Sequence, residues 1–170
     1  MSKAFTKESD DSGNDALPIL RPHLPPGVTN FITPGGAQRL RQELAELIAQ
    51  KRQLTSANAE GMGSSRTEQR KLQSRIRQLQ QILQSVVVAE PPATDRRRVG
   101  FGASVTVRHA AQEEITYRIV GVDESDPARN EISWLCPLAR QLLGRSVGDR
   151  VRFRSPAGEE ELEILALAYE

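Results

Sequence analysis

Leu40, Leu44, Leu47 and Leu54 follow a four-three spacing along residues 35–57, and Leu72, Ile76, Leu79, Leu83 and Val86 repeat it along residues 65–86. That spacing lays one apolar stripe along an α-helix, and two such stripes predict two helices joined seam to seam. Lys51 takes the intervening position in the first seam. Between the stripes, Ser56 to Ser65 carries Gly61 and Gly63, which break helix and let the chain reverse. An antiparallel hairpin is expected. Its start is marked by Thr33, whose side-chain oxygen can cap free backbone N–H groups, and by Pro34, whose missing N–H costs nothing at the first helical position.

Pro91, Pro92 and the run Asp95-Arg96-Arg97-Arg98 end the second arm, after which the period changes to two. Val105 and Val107, then Ile115, Tyr117 and Ile119, then Ile132 and Trp134 predict half-buried strands. Residues 137–143 read as a short helix closed by Gly144. Val151 and Phe153, then Leu162, Ile164 and Leu167, predict two last strands, with turns at Gly148-Asp149 and Pro156-Ala157-Gly158. The expected fold class is α+β: an N-terminal antiparallel coiled-coil hairpin and a C-terminal antiparallel β domain with a short helix. The divisions are a mobile leader (1–30), the hairpin (31–88), a linker (89–99) and the C-terminal domain (100–170). Ser9 to Asp15 and four prolines give the leader too little apolar surface to offset its ordering entropy.

Charge refines the hairpin. The whole chain carries a net +1, which supplies no global drive toward nucleic acid or membrane, yet residues 35–84 hold nine Lys and Arg against four Glu. Arg52, Arg66, Arg70, Lys71 and Arg75 form the candidate basic face. It serves either as a solvated surface or as a functional surface for a polyanion. Lys3 and Lys7 precede no signal-peptide core and no apolar run spans a membrane, so a soluble cytoplasmic protein is expected, a monomer because the hairpin satisfies both seams internally.

Other chemistry is sparse. The single cysteine, Cys136, excludes an internal disulfide and a cysteine-only zinc site, and reads as an inert, partly buried side chain. His23 and His109 lack paired cysteines and read as surface residues. Asp123, Glu124 and Asp126 match no metal loop and read as a solvated turn. Phe101, Tyr117, Trp134 and Phe153 read as core of the small domain, or as the lining of a peptide concavity.

Ile32-Thr33-Pro34-Gly35-Gly36 followed by Arg39-Leu40-Arg41-Gln42-Glu43-Leu44 resembles the opening of the Gre transcript-cleavage factors. Phe101 to Val107, Tyr117 to Glu124, Pro137 to Arg140, Leu142-Leu143-Gly144, Gly148-Asp149 and Pro156-Ala157-Gly158 resemble successive signatures of that family's C-terminal domain, and Met1 to Glu8 is similar to the leader of GreB-type members. The resemblance implies a hairpin that enters the secondary channel of bacterial RNA polymerase and an FKBP-like domain on the channel rim. Contact would run through Leu135, Cys136, Pro137 and Arg140. Leu135 and Cys136 stand where the family commonly has an acidic or amide residue and a serine.

The resemblance also implies an acidic pair at the hairpin tip that helps the polymerase hold a second Mg²⁺ for phosphodiester cleavage. Here Glu60 is the only carboxylate between Thr55 and Thr67, and relative to a typical member each arm is shorter by about 9 Å at helical rise. The expectation is a polymerase-binding elongation regulator with weak or absent cleavage stimulation. It would be no enzyme itself and would carry no cofactor of its own; the polymerase Mg²⁺ would matter only if the tip reaches it. The alternatives are residual cleavage through Glu60 and an FKBP-like binding or isomerase module.

Overall fold

The computed structural model describes residues 24–59, 66–92, 95–109, 112–155 and 158–169. Most of the expected leader, the reversal at Gly61 and Gly63 with Glu60, and Pro156-Ala157 lie outside the described residues.

A two-residue strand β1, Phe31–Ile32, leads into α1, Pro34–Ala59; α2, Arg66–Ser85, leads into β2, Val87–Val88. Thr33 caps α1 as its sequence position predicts, accepting the Gly36 N–H at 3.0 Å on its hydroxyl. The helix continues to Ala59 because residues 57–59 contain no breaker. α1 and α2 pack in opposite directions: Leu40 clusters with Leu79 and Ile82 near their base, and Leu54 shares a cleft with Leu72 farther out. The stripe of α2 is Leu72, Ile76, Leu79 and Ile82, so the step after Leu79 is three rather than four, and Leu83 and Val86 are only partly buried. An α-helix drifts against a strict seven-residue repeat, and at this end the stripe also faces Ile32 and Ala37. β1 and β2 close the base by pairing in parallel, Phe31 opposite Val87 and Ile32 opposite Val88.

The second part of the chain is a five-stranded sheet in the order β5-β4-β3-β7-β6. Its strands are β3 (Ala103–Arg108), β4 (Glu114–Val120), β5 (Glu131–Ser133), β6 (Arg150–Ser155) and β7 (Gly158–Tyr169), with α3, Pro137–Leu142, between β5 and β6. The period of two in β3 is clean: Ala103, Val105 and Val107 are buried while Ser104, Thr106 and Arg108 are partly exposed. A register shift between Thr106 and Val107 against β7 is a bulge, which bends the sheet. One expectation is corrected. The sheet is mixed, because β5 runs parallel to β4. Between them the chain makes two single-turn 3-10 helices, Val122–Glu124 and Pro127–Arg129, and re-enters the sheet in the same direction.

Leu138, Ala139 and Leu142 of α3 share a core with Val105, Val107, Ile119, Val151, Leu162 and Ile164. Val99, ahead of β3, belongs to this core too, held by backbone bonds to Arg145 and Gly144 beyond α3. No helix among the described residues is long and apolar enough to cross a membrane.

Candidate functional site

Where the helix pair meets the sheet, a buried carboxylate reaches the N-terminus of α1. Glu124 accepts the Thr33 N–H at 2.5 Å and the Thr33 hydroxyl at 2.8 Å, while that hydroxyl accepts from Gly36. The carboxylate therefore sits at the positive end of the helix dipole, one residue removed. A side chain on Gly36 would collide with it. Burial pushes the Glu124 carboxyl above its ordinary range, against the opposing pull of the Thr33 hydrogen bonds and Arg39.

Two more contacts flank it. Asn30 donates to Asp123 at 2.9 Å, and Arg39 of α1 meets buried Glu131 at 3.2 Å, a carboxylate also approached by Arg129 at 3.4 Å. On the opposite side Phe31 is gripped by Phe101 and Trp134, at centroid distances of 6.0 and 5.9 Å. Phe101 thus serves the junction, whereas Trp134 joins the junction to the core of the small domain, against which Tyr117 and Phe153 also pack. The reading of Asp123, Glu124 and Asp126 as a solvated turn is corrected as well. Glu124 is buried, Asp123 binds Asn30, and Asp126 caps a 3-10 turn by accepting the Ala128 N–H at 3.0 Å. No local pattern marks an acid that pairs with a residue ninety-one positions away; Thr33 alone carried a signal, as a cap.

The fold brings Leu135, Cys136, Pro137 and Arg140 together at the start of α3. Pro137 and Arg140 are exposed, Leu135 and Cys136 half-buried. Cys136 caps the helix, its Sγ accepting the Ala139 N–H at 3.3 Å. Sulfur is a weak acceptor, so Cys136→Ser is expected to raise stability by a few tenths of a kcal/mol and Cys136→Ala to lower it by about 0.5 kcal/mol. Urea midpoints check both, and equal midpoints for the three proteins would contradict the cap.

Along the helices, Arg52, Arg66, Arg70 and Lys71 are exposed. Arg75 stands apart from them: its guanidinium lies 2.6 Å from Glu43 on α1 and also bonds Gln78, so it braces the two helices above the junction. A residue outside the expected face, Arg77, joins Lys51 and Arg52 around an interhelix groove of about 630 Å³ with Ile48 and Ile76 among its lining. Lys51 at a seam position leaves that stretch without an interlocking apolar side chain, which opens the groove.

His109 is not a free surface residue. Its Nδ1 lies 2.8 Å from Glu160, and Tyr117 approaches Nε2 at 3.4 Å. Burial, with the Glu160 and Glu113 carboxylates, pushes the Tyr117 hydroxyl above its usual range, which disfavours a nucleophilic phenolate. Among the described residues no three His, Cys, Asp or Glu side chains form a metal-binding group.

Residues 93–169 match the family model described as transcription elongation factor, GreA/GreB, C-term. Transcription elongation factor GreB of Neisseria meningitidis serogroup A is 39% identical over 155 residues, covering 82% of this chain and 94% of that protein. GreB of Pseudomonas aeruginosa is 42% identical over 154 residues, covering 83% and 91%. GreB of Pasteurella multocida is 35% identical over 169 residues, covering 99% of this chain and 98% of its own. With more than nine-tenths of each relative matched, the chain belongs to the GreA/GreB family of transcription elongation factors.

Proposed function

We propose that this protein regulates transcription elongation by binding bacterial RNA polymerase in the cytoplasm. The two helices act as a coiled-coil hairpin directed into the secondary channel. The sheet with α3, read as an FKBP-like domain, sits on the channel rim through Leu135, Cys136, Pro137 and Arg140. The observation that carries this reading is the junction: a hairpin with exposed Arg52, Arg66, Arg70 and Lys71 is fixed to the sheet by Thr33–Glu124 and Arg39–Glu131, so seating one part aims the other. The same cations would meet polymerase carboxylates or nascent-RNA phosphates.

Cleavage stimulation is expected to be weak or absent, because the tip sequence offers Glu60 alone where the resemblance implies a pair, and one carboxylate is a poor Mg²⁺ ligand set. Any divalent ion would be the polymerase's. The isomerase alternative is disfavoured because Phe31 of the same chain occupies Phe101 and Trp134.

The test is binding to polymerase followed by RNA cleavage in a backtracked elongation complex. The expected result is monomeric protein that binds, with affinity falling as salt rises, and adds little or no cleavage. Cleavage that disappears in Glu60→Ala would favour the residual-activity alternative, and no binding would overturn the proposal.

A further inference from the structure

β6 is the outer strand at one end of the sheet, and among the described residues no strand lies beyond it. Its backbone faces both ways. The Ile164 N–H donates to the Asp149 carbonyl at 2.9 Å, and hydrogen-bonded positions alternate along an antiparallel pair, so Val151 and Phe153 turn their peptide groups toward β7. Those of Arg150, Arg152 and Arg154 therefore point away from the sheet, and all three residues are exposed. The opposite edge offers nothing comparable, since β5 has three residues and its Glu131 is buried against Arg39.

Charge narrows the occupant. A row of side chains crosses the sheet in alternating sign, Glu114 on β4, Arg108 on β3, Glu163 on β7 and Arg150 on β6, each opposite the next in register. Arg108 lies 3.3 Å from Glu114 and 3.5 Å from Glu163. Arg152 and Arg154 stand opposite Glu161 and Glu159, and Glu161 serves both Arg150 at 3.4 Å and Arg152 at 4.0 Å. Each row ends in a cation at the open edge, so a further strand continues the alternation with carboxylates. A second copy of this chain does not supply them, because β6 paired antiparallel with itself about Arg152 sets arginine opposite arginine at all three outward positions. The charge that bars self-pairing selects for acid.

We propose that β6 is a docking edge for an acidic extended segment of a partner protein, which adds as a sixth strand with carboxylates at alternate positions beside Arg150, Arg152 and Arg154. Main-chain hydrogen bonds to the three outward peptide groups supply affinity, and the arginines supply selectivity. Residues between the carboxylates extend the other face of the sheet, where Phe153 packs half-buried against the core, so apolar side chains suit them.

The probe is a short capped peptide in which glutamate alternates with valine, titrated into the isotope-labelled full chain at low salt. No polymerase is needed. The amide resonances of Arg150, Arg152 and Arg154 should shift and their protons exchange more slowly, with affinity falling as salt rises. A peptide with glutamine for glutamate should bind about tenfold more weakly, as should the parent peptide to Arg152→Glu. Arg152→Pro removes one outward N–H while sparing the bonds to β7, and should abolish the protection; should it fail to fold, Arg152→Glu still decides. Absence of these shifts at millimolar peptide, an affinity indifferent to Arg152→Glu, or protection of the outward amides that grows with protein concentration alone would each overturn the proposal.

Discussion

A single methyl group added at Gly121 should lower the stability of this protein by about 2–3 kcal/mol, in the range of overpacking in a rigid site. The Cβ of Gly121→Ala would run into the Phe31 carbonyl oxygen, with the Ile32 Cα at 3.3 Å. These are backbone atoms of β1, which is paired with β2 and carries the fully buried Ile32, so neither side can give way cheaply. Relief comes by moving β1 off the sheet, which would pull Phe31 from Trp134 and Thr33 from Glu124. Trp134 is the only tryptophan in the chain and lies edge-on to Phe31, so its emission reports the separation directly. A variant with the parent's urea midpoint and the parent's Trp134 spectrum would contradict the close approach.

Removal of the buried carboxylate should have an effect of similar size. In Glu124→Ala the Thr33 N–H and hydroxyl lose their partner, at a cost of about 1–3 kcal/mol for buried groups left unsatisfied. Glu124→Gln keeps an acceptor for the N–H and offers a donor to the hydroxyl oxygen, so it should retain most of what alanine loses. The two variants separate further by pH. Because burial raises the Glu124 pKa in the folded state, its contribution is present in full below the ordinary carboxylate range and is lost as pH climbs through the raised value. Denaturant unfolding across that window should show parental stability falling with rising pH, and Glu124→Gln should flatten this component. A parental stability that rises through the same window, with no change of slope in Glu124→Gln, would rule out the raised pKa as its source.

Much of the architecture was legible because it is local. Four-three leucines, Thr33-Pro34 and the alternation in β3 each act within a few residues, and each element formed where its pattern predicted. The mixed sheet was harder to see. Nothing in Glu131-Ile132-Ser133 encodes direction; that is set by the two 3-10 turns before it, whose sequence reads as a polar loop.

The candidate site divides along the same line. Leu135, Cys136, Pro137 and Arg140 are consecutive or nearly so, and the helix they start places them together. Arg75 reads from its position as one of a row of exposed cations, and only the approach of Glu43 from the other helix makes it a brace. Glu124, Glu131 and Asn30 carry no short-range mark, since what defines each is a partner in a segment distant along the chain. His109 is the same case on a smaller scale, with its acid fifty-one residues away.

The separation between Thr33 and Glu124, ninety-one positions, has a consequence for how the protein is made. On the ribosome both helices are complete and can pair through Leu40, Leu79 and Ile82 before the residue that fastens them to the sheet has been synthesised. The sheet cannot close until β7, the last strand, fills its place between β3 and β6. Alignment of the two parts therefore follows pairing of the helices, because contacts this distant in sequence reward the chain only after the intervening loop has been closed. A nascent chain stalled just after β2 would present a paired but unaimed set of helices, and release of the C-terminal strand would convert it to the aimed form.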